Sequence, residues 1–156
     1  MRGKFVVRSS LVAAVAVIAA GTGGVAAATT NLQHTHGVAW VGVTHTEGKD
    51  LYISGDFHDS LFGRGALVYL TRVSGSSKPG TFHVTALRVT LYTASGSLQG
   101  TGAADEVITS SSSTVKNGTF FLTKGTGAYK GHSLKGTFGG PQNKGVWTFT
   151  YNAVYR

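Results

Sequence analysis

The sequence predicts an all-β protein built as a single antiparallel up-and-down β-barrel, and three observations carry that reading. Beyond residue 28 no stretch keeps apolar residues at i, i+3, i+4 and i+7 for three turns. Short Val/Thr/Tyr/Phe-rich runs broken by glycine recur instead. Turn compositions separate these runs: "TEGKD" at 46–50, "SGSSKPG" at 74–80, and Asn117-Gly118. The final segment, "GVWTFTYNAVYR", alternates strictly. Trp147, Phe149, Tyr151, Ala153 and Tyr155 share one face, and Val146, Thr148, Thr150, Asn152 and Val154 the other. So apolar a strand is a hazard at a free sheet edge, and closing the sheet removes edges, which favours a barrel over a two-sheet sandwich.

Residues 1–28 differ from the rest. Arg2, Lys4 and Arg8 precede an apolar run at 11–20, and small residues end at Ala26-Ala27-Ala28. That is the three-part layout of a secretory signal peptide. The run is short of the roughly 20 apolar residues a membrane-spanning helix needs. The n-region lacks an Arg-Arg pair, so a general secretory (Sec-type) route is expected, with cleavage after Ala28, a secreted product and no stable membrane insertion afterwards. Residues 29–156 then form one domain, long enough to bury a core unaided.

Within that domain, strands are predicted at 38–45, 51–57, 66–73, 82–93, 97–102, 106–115, 119–123, 133–138 and 146–155, after an unpaired polar start at 29–33. Asn117-Gly118 supplies the two positive φ angles of a type I′ turn, so 106–115 and 119–123 are expected to form a hairpin. The segment "TSSSST" at 109–114 fits a solvent-facing part of the first of these strands. With no helix to make parallel crossovers, sequential antiparallel pairing follows.

The chain has no cysteine, so an exported protein of this sequence has neither disulfides, thiolate metal sites nor a thiol nucleophile. The formal net charge is +8, of which three cations lie in residues 1–28, leaving +5 for the domain. Those cations are spread singly, a pattern that suits weak, salt-sensitive adhesion to an anionic envelope polymer. A nucleic-acid partner is not expected, because no basic run with interleaved aromatics exists.

The glycine run Gly125-Thr126-Gly127-Ala128-Tyr129-Lys130-Gly131 is the most distinctive motif. A dinucleotide fingerprint needs G-x-G-x-x-G followed by a helix. Here the spacing is G-x-G-x-x-x-G, the following "HSLKGTFGG" cannot make an amphipathic helix, and no Gly-Lys-Ser/Thr P-loop is present. The run therefore reads as a corner between strands. A second stretch, "SGDFHDSLFGRGALVY" at 54–69, has the same style. Together, "GTFFLTKGTGAYKGHSLKGTFGG" with the aromatic strand after it, and "LFGRGALVY", resemble the glycine corner and an upstream segment of the allene oxide cyclase and dirigent-like barrels, including small secreted bacterial proteins of that class. Lys124 stands where those proteins usually have glycine, and His132-Ser133-Leu134-Lys135 replaces small residues. The resemblance implies a barrel of about eight strands with an apolar interior, often a homotrimer, in which some members guide cyclisation or coupling of small hydrophobic molecules. Fold alone does not carry activity, and no catalytic residue is transferred.

Six histidines, His34, His36, His45, His58, His83 and His132, lack the spacing of a metal site and read as exposed strand and loop residues, so no metal or cofactor is expected. Asp105 and Glu106 are adjacent and would face opposite sides of a strand. Asp56 and Asp59 flank an expected turn, where aspartate serves turn hydrogen bonds. No G-x-S-x-G elbow exists. The aromatic set reads as core filling or, if the barrel is hollow, as the lining of a site for a small hydrophobic ligand: Trp40, Tyr69, Phe138, Trp147, Phe149 and Tyr151 are the candidates. The expected function is non-catalytic binding of such a ligand or a structural envelope role. The alternative is a cofactor-independent isomerase or cyclase using the same interior, with Tyr69 or Tyr151 polarising the substrate.

Overall fold

Thr35, Ala39 and Val41 are buried while His34, His36 and Trp40 are exposed. That period of two marks a strand with one dry and one wet face, and it runs through most of the protein. The computed structural model describes residues 31–156; the expected signal peptide, at residues 1–28, lies outside them. Eight strands follow in order: β1 (Gln33–Glu47), β2 (Asp50–Asp59), β3 (Gly63–Gly75), β4 (Thr81–Thr93), β5 (Gly96–Ile108), β6 (Ser113–Gly125), β7 (Leu134–Asn143) and β8 (Val146–Tyr155). Each pairs antiparallel with its neighbour in sequence, and β1 also pairs with β8, so the sheet is a closed up-and-down barrel.

The connections divide between two ends. At one lie the β2–β3, β4–β5 and β6–β7 turns; at the other lie β1–β2, β3–β4, β5–β6 and β7–β8. The first end is packed solid: Phe57 and Leu122 are each 1 % exposed and Leu134 0 %. A 3-10 turn at Gly127–Tyr129 within the glycine run folds over it and buries Tyr129. Gly127 has φ +59, and a Cβ there would strike the Ser95 carbonyl, so the corner needs glycine. Phe62 meets Tyr129 and Tyr155 edge-on, with ring centroids 5.5 and 5.2 Å apart. At the second end the inward residues Leu51, Val73, Val84 and Glu106 are only partly buried.

Three expectations are corrected. The nine predicted segments are eight strands, because 97–102 and 106–108 belong to the continuous β5, while 113–115 joins 119–123 in β6. Asn117-Gly118 is not a hairpin turn. It is a bulge inside β6, where the pairing register slips against both β5 and β7. Asn117 does have a positive φ of 54, but its amide donates to Asp105 Oδ2 across the sheet at 3.1 Å. The β5–β6 turn falls instead at Thr109–Ser112, where Thr109 Oγ1 accepts the Ser112 backbone N–H at 3.1 Å and Thr109 N donates to Ser112 O at 2.8 Å. The strand expected through 109–114 therefore exists only from Ser113 onward. Finally, Gln33 pairs with Tyr155, so β1 begins five residues before its predicted start at Val38.

Candidate ligand cavity

Barrel taper and side-chain size decide what the interior holds. At the packed end, Asp59 points inward from the end of β2 and is 2 % exposed. Its Oδ1 accepts Thr35 Oγ1 at 2.5 Å and the backbone N–H groups of Leu61 and Phe62 at 2.7 and 2.9 Å. Its Oδ2 accepts the Tyr151 hydroxyl at 2.7 Å. Four donors satisfy a buried carboxylate, so this cluster joins β1, β2 and β8 and leaves no group free for chemistry. Burial first, then the bond to Asp59, pushes the Tyr151 phenol far above its ordinary value.

Toward the other end the side chains no longer meet at the axis. They leave a cavity of about 110 Å³ with an almost wholly apolar wall, its floor formed by Phe120, Leu122, Phe149 and Tyr151 and its upper wall by Leu51, Val73 and Val84. Besides Tyr151 and Thr71, whose hydroxyl donates to the Leu51 carbonyl at 3.5 Å, three polar side chains belong to this wall. Tyr69 enters from β3, and its hydroxyl has no hydrogen-bond partner among the described residues; burial chiefly, and the Glu106 charge secondly, push its phenol above the ordinary range. Glu106 enters from β5, where Oε1 accepts the Ser113 hydroxyl at 2.5 Å. Trp147 enters from β8, and its Nε1 is the one buried side-chain nitrogen or oxygen without a partner among the described residues.

Strand alternation explains the placement of Glu106. Its neighbour Asp105 faces outward, bonded to His83 Nδ1 at 2.7 Å and to Asn117. Those bonds, Asn117 first and His83 second, hold the Asp105 carboxyl below its ordinary range. Glu106 is thereby the carboxylate that the barrel turns toward its cavity, and among the described residues no Lys, Arg or His lies within ion-pair distance of it.

Of the six aromatic residues singled out in the sequence, Tyr69, Phe138, Trp147, Phe149 and Tyr151 line this cavity. Trp40 does not. It is 46 % exposed, because Ala39 and Val41 take the inward positions of β1 and alternation sends Trp40 to the outer wall. Ser113 was not singled out; Glu106 was considered only with Asp105, as a pair facing opposite sides of a strand, and the structure shows that opposition, with Asp105 outward and Glu106 at the cavity. His34, His36, His45, His58 and His83 are exposed, and no three His, Asp or Glu side chains gather among the described residues. Comparison of the chain with family models, with curated proteins and with solved structures found no match.

Proposed function

We propose that the protein is a secreted, non-catalytic binder that carries one small hydrophobic molecule inside its barrel. The observation that carries this reading is the apolar cavity inside the barrel, with the Trp147 side chain among its lining. Eight-stranded barrels either fill with side chains or hold one small ligand. A 110 Å³ void forfeits about 2–3 kcal/mol of packing at ~24 cal/mol per Å³, and a buried donor without a partner costs about 1–3 kcal/mol more. Against a typical stability of about 5–15 kcal/mol these are substantial losses, and a bound apolar molecule would offset the first. Size narrows the class. Drug-sized ligands occupy about 300–1,000 Å³, whereas an apolar cavity of about 150 Å³ takes up benzene, so the occupant is on the scale of one ring or a short branched chain.

The closed eight-stranded barrel is also what the resemblance to the allene oxide cyclase and dirigent-like barrels calls for. A second reading, a cofactor-independent isomerase or cyclase, draws on Glu106 and Tyr69 sharing one apolar chamber. It is the weaker reading, because a phenol pushed above its ordinary value holds its proton too tightly to act as an acid near neutral pH.

Native mass spectrometry of the protein purified from its own culture fluid tests the proposal. A carried ligand adds mass that organic extraction removes, and the same spectrum reports whether the chain is a homotrimer. Trp147 gives a second readout, since in a Trp40→Phe variant it is the only indole left, and adding toluene should change its fluorescence. A bare mass together with an unresponsive Trp147 would overturn the reading.

A further inference from the structure

The chemistry at the cavity mouth narrows the ligand further, in an argument that rests on the binding reading above. The lining contains one charged side chain, Glu106, and no Lys, Arg or His. Its Oε1 is occupied by Ser113, while Oε2 has no hydrogen-bond partner among the described residues. Glu106 is only partly buried, so its free oxygen is reached from the open end. Lys49, Lys78 and Lys144 stand on or beside turns at that end, but none of them lines the cavity and none pairs with Glu106. Beyond the carboxylate the wall is apolar, with the rings of Tyr69, Phe120, Phe138, Trp147 and Phe149 set among aliphatic side chains such as Leu51, Val73 and Val84.

From this arrangement we infer that the cavity selects apolar molecules bearing a protonated amine, with the apolar body among the aromatic side chains and the ammonium on the free oxygen of Glu106. A carboxylate next to an apolar pocket attracts a cationic donor through a charge-assisted hydrogen bond. The same field repels a carboxylate head. A neutral apolar ligand gains only from burial, and a hydroxyl donates to Glu106 without the added charge. The order of affinity is therefore amine, then alcohol, then hydrocarbon, then acid.

Four probes with a common ring separate these terms: benzylamine, benzyl alcohol, toluene and benzoate, titrated by calorimetry near neutral pH into the Trp40→Phe protein with Trp147 fluorescence as a parallel readout. Benzylamine should bind at least about tenfold more tightly than toluene, and benzoate more weakly than toluene. Glu106→Gln should abolish the preference for benzylamine while keeping toluene binding, which also certifies that the variant is folded. Equal binding of benzylamine and toluene, or a preference for benzoate, overturns the inference and leaves the apolar binder standing. Failure of all four probes overturns both. The ranking in the protein with Glu106 intact decides the matter even if Glu106→Gln does not fold.

Discussion

At the end of the barrel where β2 turns into β3, the Asp59 carboxylate accepts four hydrogen bonds, whereas toward the opposite end the Glu106 carboxylate accepts one. Both project inward from the same sheet. Around Asp59 the aromatic rings of Phe62, Tyr129 and Tyr155 touch edge to face; around Glu106 the side chains stand apart and enclose a cavity. The difference teaches where stability and function are placed. One end spends its polar groups on one another and fixes the fold, and the other keeps an oxygen, a phenol and an indole N–H without protein partners.

The largest effects should expose this asymmetry directly. Phe57→Ala removes a side chain that is 1 % exposed and packed at the closed end, and should cost about 3–5 kcal/mol in urea unfolding. Val73→Ala, at the cavity rim and already partly exposed, should cost about 1 kcal/mol or less. Equal losses at the two sites would mean that the open end is packed as tightly as the closed one, and the comparison would fail.

A pair of phenols sharpens it at the level of single atoms. Tyr151→Phe removes the donor to Asp59 and should cost about 1.5–3 kcal/mol near neutral pH, while Tyr69→Phe removes a hydroxyl that has no partner among the described residues and should cost about 0.5 kcal/mol or less. Their pH behaviour should nevertheless agree in sign. Both phenols are raised above their ordinary values in the folded protein, so the unfolded chain releases these protons first. Their contribution to stability is complete below about pH 10, the unfolded value, and is lost as pH rises beyond it. Urea midpoints measured from about pH 8 to about pH 11 should fall less steeply in each Phe variant than in the unaltered protein.

How much of this was legible in the sequence depended on whether side chains alternate. β8 was read with its observed bounds because Trp, Phe and Tyr alternate with Thr and Asn along it. β1 offered no such contrast, since Val38, Ala39, Trp40 and Val41 are all apolar, and the face taken by Trp40 is set by its neighbours in the closed sheet. Ala103, Ala104 and Asp105 fell between the strands predicted at 97–102 and 106–115, since the two alanines lack strand-forming bulk. In the barrel they continue β5, and at Gly102 an added Cβ would lie 2.8 Å from the Thr119 carbonyl oxygen. The site divides in the same way. Its aromatic lining was visible as one face of β8, and so was the opposition of Asp105 and Glu106, but which of the two faces the interior became visible only once β5 was known to run unbroken past Ala104.

Asn117 carries the last and smallest prediction, and it tests why a strong local signal gave way. Asn-Gly is suited to a two-residue hairpin because both residues accept positive φ, yet here Asn117 keeps its positive φ within a strand. Two features hold it there. Its amide reaches Asp105 on β5, and a Cβ at Gly118 would run into the ring and carbonyl of Phe138 on β7, so the strand needs glycine to pass its neighbour. Asn117→Gly keeps the conformation and removes only the Asp105 bond, and should leave stability within about 0.5 kcal/mol. Asn117→Ala must hold alanine in the left-handed region at a cost of about 1–2 kcal/mol. If the two variants unfold at the same urea concentration, the bulge tolerates an ordinary side chain and its geometry comes from the flanking strands. If Ala alone weakens the protein, the backbone preference that suggested a turn is the one that builds the bulge, bending β6 beside Val115 at the cavity wall.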